Sequence, residues 1–186
     1  MNITPTLRRA MQNLLTYSNG ETGLIMRWNN DDRTIETVWS EGYKNIENVT
    51  QVGSGRAPIQ RLENTYDESK SQPNFGGHAE EILIRTWDYY KKSLGIYPIS
   101  VDIILTHSPC RDVSGVFRDA KGTVWPCGCS NKLYKLINEI ETNVKVWNIA
   151  YFAYYGTAAS TGKAIEGVSK LQSHPRVLTY YFHGVP

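Results

Sequence analysis

A histidine and a glutamate separated by one residue, His78-Ala79-Glu80, stand upstream of Ser108-Pro109-Cys110 and, further along, of Cys129. Imidazole nitrogen and thiolate sulfur are donors that zinc prefers, and three protein donors leave a fourth tetrahedral position for water. His78, Cys110 and Cys129 meet that count. Glu80, two positions beyond the histidine, can reach the fourth position without binding the ion, which is the placement a proton carrier needs. Glu81 beside it reads as a favourable charge in the first turn of a helix. Three cysteines are an odd number in a chain too long to need disulfide staples, so thiolates for metal are a better reading than an extracellular cross-linked framework.

Cys127, in Trp125-Pro126-Cys127-Gly128, competes with Cys129. Three pairings are open: Cys110 with Cys129, Cys110 with Cys127, and Cys127 with Cys129. The first is preferred because Cys129 leads directly into a helix and ligands in zinc loops usually lie more than one residue apart. A purely structural site is a further alternative. It would close the metal with a fourth protein ligand, for which Cys127 is available.

Positioning these residues falls to a predicted series of helices and strands. Leu7, Met11, Leu14 and Leu15 mark one apolar face of a helix over 5–17. Residues 23–30 and 34–42 are β-rich runs around a polar spacer, a hairpin pattern. From about Asn45 to Gly77 the chain is polar, rich in glycine and proline and without period, which predicts a long loop of the kind that often carries function. Residues 78–94 read as a helix stopped by Gly95, with two acids in its first turn and two lysines near its end. The apolar run in 101–110 predicts a central strand covered on both faces. Residues 111–128 are mixed and show no clear element. A helix over 130–141 is predicted behind Ser130 as its capping residue, then a strand over 144–155, a helix over 157–172 and a strand over 176–184. A right-handed crossover makes the last two strands parallel.

The 186 residues fit one domain spanning 1–186, and the 40% hydrophobic and 20% charged composition is that of a globular chain with no run apolar enough for a bilayer. The first twenty residues lack the pattern of a secretory signal. A net charge of +2 does not point to a partner by phosphate neutralisation alone, whereas 12 Tyr and 5 Trp offer faces on which bases can stack.

His78-Ala79-Glu80 followed by Ser108-Pro109-Cys110 and a later cysteine before a helix resembles the cytidine-deaminase superfamily signature, H-x-E then P-C-x-x-C. The resemblance extends over the order of elements from about residue 23 to 184. It departs where residues 111–128 stand in place of the two that usually separate the cysteines. The β-α-β ending is similar to the branch holding AID/APOBEC enzymes, tRNA adenosine deaminases and bacterial polymorphic-toxin deaminases. Thr106-His107-Ser108-Pro109-Cys110 and the single domain resemble the APOBEC-like and toxin-type groups most.

What the resemblance implies is an α/β, three-layer cytidine-deaminase-like fold with a central mixed five-stranded sheet whose last two strands are parallel. It implies a Zn2+ cofactor on His78, Cys110 and Cys129, with Glu80 as proton shuttle. The expected reaction is hydrolytic deamination of cytosine to uracil in single-stranded DNA, or RNA; adenine is the alternative target, and a non-catalytic zinc-stabilised nucleic-acid-binding module is the alternative outside catalysis. His107 and Ser108 are expected in the pocket wall, Tyr154 and Tyr155 in the segment that reads a neighbouring base, and Trp28 and Asn74 at the rim. His107, Tyr154 and Tyr155 are read equally well as core. A toxin-type relative would act in the cytoplasm, arrive as part of a secreted protein and be neutralised by an immunity protein. No membrane partner is expected.

Overall fold

Leu7, Ala10, Met11 and Leu14 recur at helical spacing, and all four are buried on one face of α1 (Pro5–Ser18). Pro5 opens this helix, where its missing N–H costs nothing, and the Thr4 hydroxyl accepts from the Leu7 N–H at 3.1 Å. The computed structural model describes residues 1–18, 22–40, 78–111, 115–118, 122–156 and 161–186. The loop expected from about Asn45 to Gly77, with Asn74 in it, lies outside the described residues.

The strands are β1 (Gly23–Trp28), β2 (Glu36–Trp39), β3 (Ser100–His107), β4 (Val116–Arg118), β5 (Val124–Pro126), β6 (Val146–Ala153) and β7 (Val177–Tyr181). The other helices are α2 (Ala79–Leu94), α3 (Cys129–Lys135) and α4 (Thr161–Gln172). A five-stranded sheet runs in the order β2-β1-β3-β6-β7, with β1 antiparallel to its neighbours and β3, β6 and β7 parallel. This is the mixed α/β sheet with a parallel final pair that the sequence predicts, and β3 is its middle strand. No helix among the described residues is long and apolar enough to cross a membrane.

Both faces of the sheet are covered. Ile25, Ile104 and Ala150 pack with the apolar stripe of α1, while Leu24, Met26, Val101, Ile103, Leu105 and Ile149 face residues of α2, α3 and α4. Alternate residues of β3 therefore enter different cores, which is why its apolar run is nearly continuous.

Polar residues in the same sheet hold its register. Arg27 of β1, Asp102 of β3 and Asn148 of β6 are direct cross-strand partners, and all three are buried. The Arg27 Nε and Nη2 donate to Asp102 Oδ2 at 2.9 and 2.6 Å, and Asn148 Nδ2 donates to Asp102 Oδ1 at 2.7 Å. A slip of one residue in either strand pair would separate these groups and turn apolar side chains to the wrong face.

The chain departs from its sequence reading in two places. Residues 111–128, expected to be mixed, contain the antiparallel hairpin β4–β5, closed at its base where the Cys127 N–H donates to the Gly115 carbonyl at 3.0 Å. The helix expected over 130–141 starts one residue earlier, at Cys129, and passes into a π-helical turn over Leu136–Ile140. Its cap is Gly128 at φ 79° and ψ 139°, a positive-φ conformation that suits glycine, so Ser130 lies inside the helix and not at its cap.

Asp102→Leu should leave the buried Arg27 guanidinium without its main counterion. Removing one partner of a buried pair costs about 3–5 kcal/mol, so a loss of unfolding free energy of that size is expected by denaturant titration. A loss below about 1 kcal/mol would mean that the triad does not hold the register.

Candidate metal centre

His78 occupies the position just before α2, with φ −70° and ψ 145°, and its carbonyl accepts the first backbone bonds of that helix from Glu81 and Ile82, both at 3.0 Å. Cys110 follows the end of β3 by three residues, and Cys129 is the first residue of α3. Chain reversal through the β4–β5 hairpin returns Cys129 to Cys110, so the long separation in sequence does not become a separation in space.

The start of α3 is bound directly to Cys110. The Cys129 N–H donates to Cys110 Sγ at 3.4 Å, and the Ser130 N–H and hydroxyl both donate to the Cys110 carbonyl at 3.0 Å. From α4, Gly167 presses on this turn: a Cβ there would stand 2.8 Å from Ser130 Oγ, so the approach requires glycine.

His78 Nδ1 lies 3.6 Å from Cys110 Sγ and 3.3 Å from Cys129 Sγ, and the three donor atoms fall within 4.8 Å of one another. Around tetrahedral zinc, with Zn–S about 2.3 Å and Zn–N about 2.0 Å, donor atoms sit roughly 3.5–3.8 Å apart. The donor set suits zinc in type and in spacing. Cys127 is not part of this group. Its N–H is engaged by Gly115, and its carbonyl accepts from Asn131 Nδ2 at 2.9 Å. Of the pairings open in the sequence, the structure brings together Cys110 and Cys129.

Neighbouring charges shift these groups strongly. Cys110 is held down to about 5 by its hydrogen bonds with Cys129 and His78, against the effect of burial. His78 is raised to about 9 chiefly by the Cys110 sulfur. The Cys129 thiol is pushed up by its contact with Cys110 and by burial. The Cys129 N–H at the start of α3 points at Cys110 Sγ, so Cys110 gains its stabilisation.

Glu80 is buried, and burial raises its carboxyl to about 7, with the nearby Cys110 charge acting in the same direction. Its Oε2 is buried with no hydrogen-bond partner among the described residues. Such an orphaned acceptor is uncommon and calls for a partner or a reactive role.

The remaining candidates are distributed unevenly. Tyr155, 37% exposed, places its ring 5.8 Å from that of His78. Ser108 is buried, its Oγ accepts from the Tyr155 N–H at 3.0 Å and its own N–H donates to the Ala153 carbonyl at 2.8 Å, so it braces the turn that presents Tyr155. His107 is half-buried at the end of β3, pushed down by burial, with Nδ1 3.1 Å from Thr106 Oγ1. Tyr154 packs with Tyr151 and Tyr181, at ring distances of 5.2 and 5.4 Å, on the core side of the same turn. Trp28, expected at a rim, is instead 0% exposed and packs on Trp87 at 5.1 Å. The register explains its place: Trp28 pairs with Val101, at the opposite end of β3 from Cys110.

Two residues of the site escaped the sequence reading. Glu81 is more than a first-turn charge. One of its oxygens accepts from the His78 N–H at 3.3 Å, and the other is ion-paired with Lys132 of α3, both side chains being buried. A glutamate three residues into a helix is the position from which a side chain bonds back to the cap, and that was the available signal. Lys132 carried none.

No protein-family model and no curated protein sequence matches the chain. Among solved structures, the chain is similar to a dCMP deaminase from the cyanophage S-TIM5 in apo form, at 16% identity and a TM-score of 0.45 over 97% of this chain and 100% of that one.

Purified protein is expected to hold one zinc per chain by elemental analysis. Cys110→Ser and Cys129→Ser should each lose most of it, and Cys127→Ser should keep it. Retention in Cys129→Ser together with loss in Cys127→Ser would reverse the assignment.

Proposed function

We propose that the chain is a zinc-dependent hydrolytic deaminase of the cytidine-deaminase superfamily that converts cytosine to uracil in single-stranded nucleic acid, DNA in preference to RNA. One observation carries this reading: a three-donor group of His78, Cys110 and Cys129 stands beside a buried glutamate, Glu80, whose carboxylate has an oxygen without a partner. A closed structural site would use four protein donors, and the group among the described residues has three.

Zinc on these donors would supply a Lewis acid that makes water nucleophilic near neutral pH. Glu80, with its carboxyl raised to about 7, is poised to accept and return a proton in that range. In the proposed reaction the water oxygen bonds to C4 of cytosine, Glu80 takes a water proton to the ring nitrogen, and a second proton passes through Glu80 to the amino group, which leaves as ammonia. Burial of Glu80 keeps bulk water from competing for its proton. Tyr155, half-exposed and close to His78, offers a face for a nucleobase, and such stacking is worth roughly 1–3 kcal/mol per base.

The H-x-E and P-C pattern supports the superfamily reading, and the parallel β6–β7 ending with the long insertion between Cys110 and Cys129 supports the choice of a polymer-acting branch. With it come the proposals of single-stranded DNA as partner, a cytoplasmic site of action and, for a domain delivered by a secreted toxin, an immunity protein that blocks it.

The test is to incubate purified protein with single- and double-stranded DNA and RNA and to sequence the products. C-to-T changes in single-stranded DNA are expected. A-to-G changes would shift the target to adenine at the same centre, and zinc uptake with unaltered bases would favour a non-catalytic module. Glu80→Ala should lower conversion at least about 100-fold, with circular dichroism and zinc content near those of the parent. Appreciable turnover in that variant would overturn the role given to Glu80.

A further inference from the structure

The three donors belong to two separately anchored parts of the fold. Cys110 and Cys129 form one unit, because the Cys129 N–H meets the Cys110 sulfur and Ser130 binds the Cys110 carbonyl twice. His78 sits on a different helix, α2. The Glu81 carboxylate spans the two. Its Oε2 accepts from the backbone N–H of His78 at 3.3 Å, and its Oε1 is ion-paired with Lys132, one turn beyond Cys129. Both side chains are buried, where each charge depends on the other for compensation.

We propose that the buried Glu81–Lys132 pair is the positioning element that sets His78 against the two cysteines and so determines how tightly the site holds a divalent metal ion. The inference rests on the metal reading above. Groups that orient ligands without touching the ion typically change metal affinity by about 10–100-fold when removed. Lys132 acts at a further remove than such groups usually do, through Glu81 and the start of α2. It compensates for the length of chain between Cys110 and Cys129 by tying the second cysteine's helix to the histidine's.

Zinc affinity measured by competition with a chromophoric chelator tests this. Lys132→Met is expected to weaken binding about 10–100-fold. Glu81→Gln/Lys132→Met removes both charges, leaves no uncompensated ion and keeps an amide oxygen for the His78 N–H. It should fold with the parent's circular dichroism and still bind zinc at least about tenfold more weakly. Lys91→Met breaks the pair with Glu141, 2.5 Å, at the other end of α2. It should lower the melting temperature and leave zinc affinity unchanged.

Parental affinity in the folded double variant would overturn the proposal. So would a double variant unable to fold, which would make the pair purely structural, or a loss of affinity in Lys91→Met equal to that in Lys132→Met, since affinity would then follow global stability. If the parent chain itself takes up no zinc, the metal reading fails and this inference falls with it.

Discussion

Two sulfurs and an imidazole nitrogen within 4.8 Å of one another form the contact around which the rest of this chain is arranged. Such a cluster is unfavourable unless its groups share protons or a cation, because burial penalises every charge in it. Cys110 is accordingly held down by its two neighbours, while its sulfur raises both His78 and Cys129. The surrounding architecture reads as a response to that constraint: two helix starts and a strand end converge, and each supplies a donor along with the hydrogen bonds that keep it in place.

The sheet determines where convergence can occur. In open sheets of parallel strands, ligand sites form outside the carboxyl ends of the strands, where the chain must turn into a helix. β3, β6 and β7 run parallel, and their carboxyl ends carry Ser108 and Cys110, Tyr155, and Tyr181 respectively. Ser108 joins the first two ends through Ala153 and Tyr155, so the exposed ring beside His78, carried at the end of β6, is braced by the segment that leads from β3 to Cys110. The buried Arg27–Asp102–Asn148 row lies toward the opposite end of β3 and holds the register on which this alignment depends.

What could be read in the sequence was what has a local signature. The apolar run of β3, the three- and four-residue spacing in α1 and α4, the end charges and glycine stop of α2, and the histidine and glutamate at a helix start each follow from residues close in the chain. The β4–β5 strands have three residues each, too few to show a period, and so residues 111–128 had no legible structure. Glu81 and Lys132 lie 51 positions apart and meet only because two helices pack, which no local pattern records. Trp28 was misplaced for a related reason: aromatic character marks both cores and binding surfaces, and only the register shows that it lies at the far end of the sheet from the cysteines.

Glu80 and Glu81 show how far environment exceeds residue type. They are adjacent in the first turn of α2, both are buried, and neither could be assigned by composition alone. Successive helix positions point about 100° apart, which sends Glu81 toward Lys132 and leaves Glu80 with a partnerless oxygen near Cys110. A carboxylate paired with a buried lysine holds two helices together. Glu80, raised toward neutrality first by burial and then by the Cys110 charge, can exchange a proton. The division of labour between the two acids therefore follows from α3 placing its lysine opposite one of them.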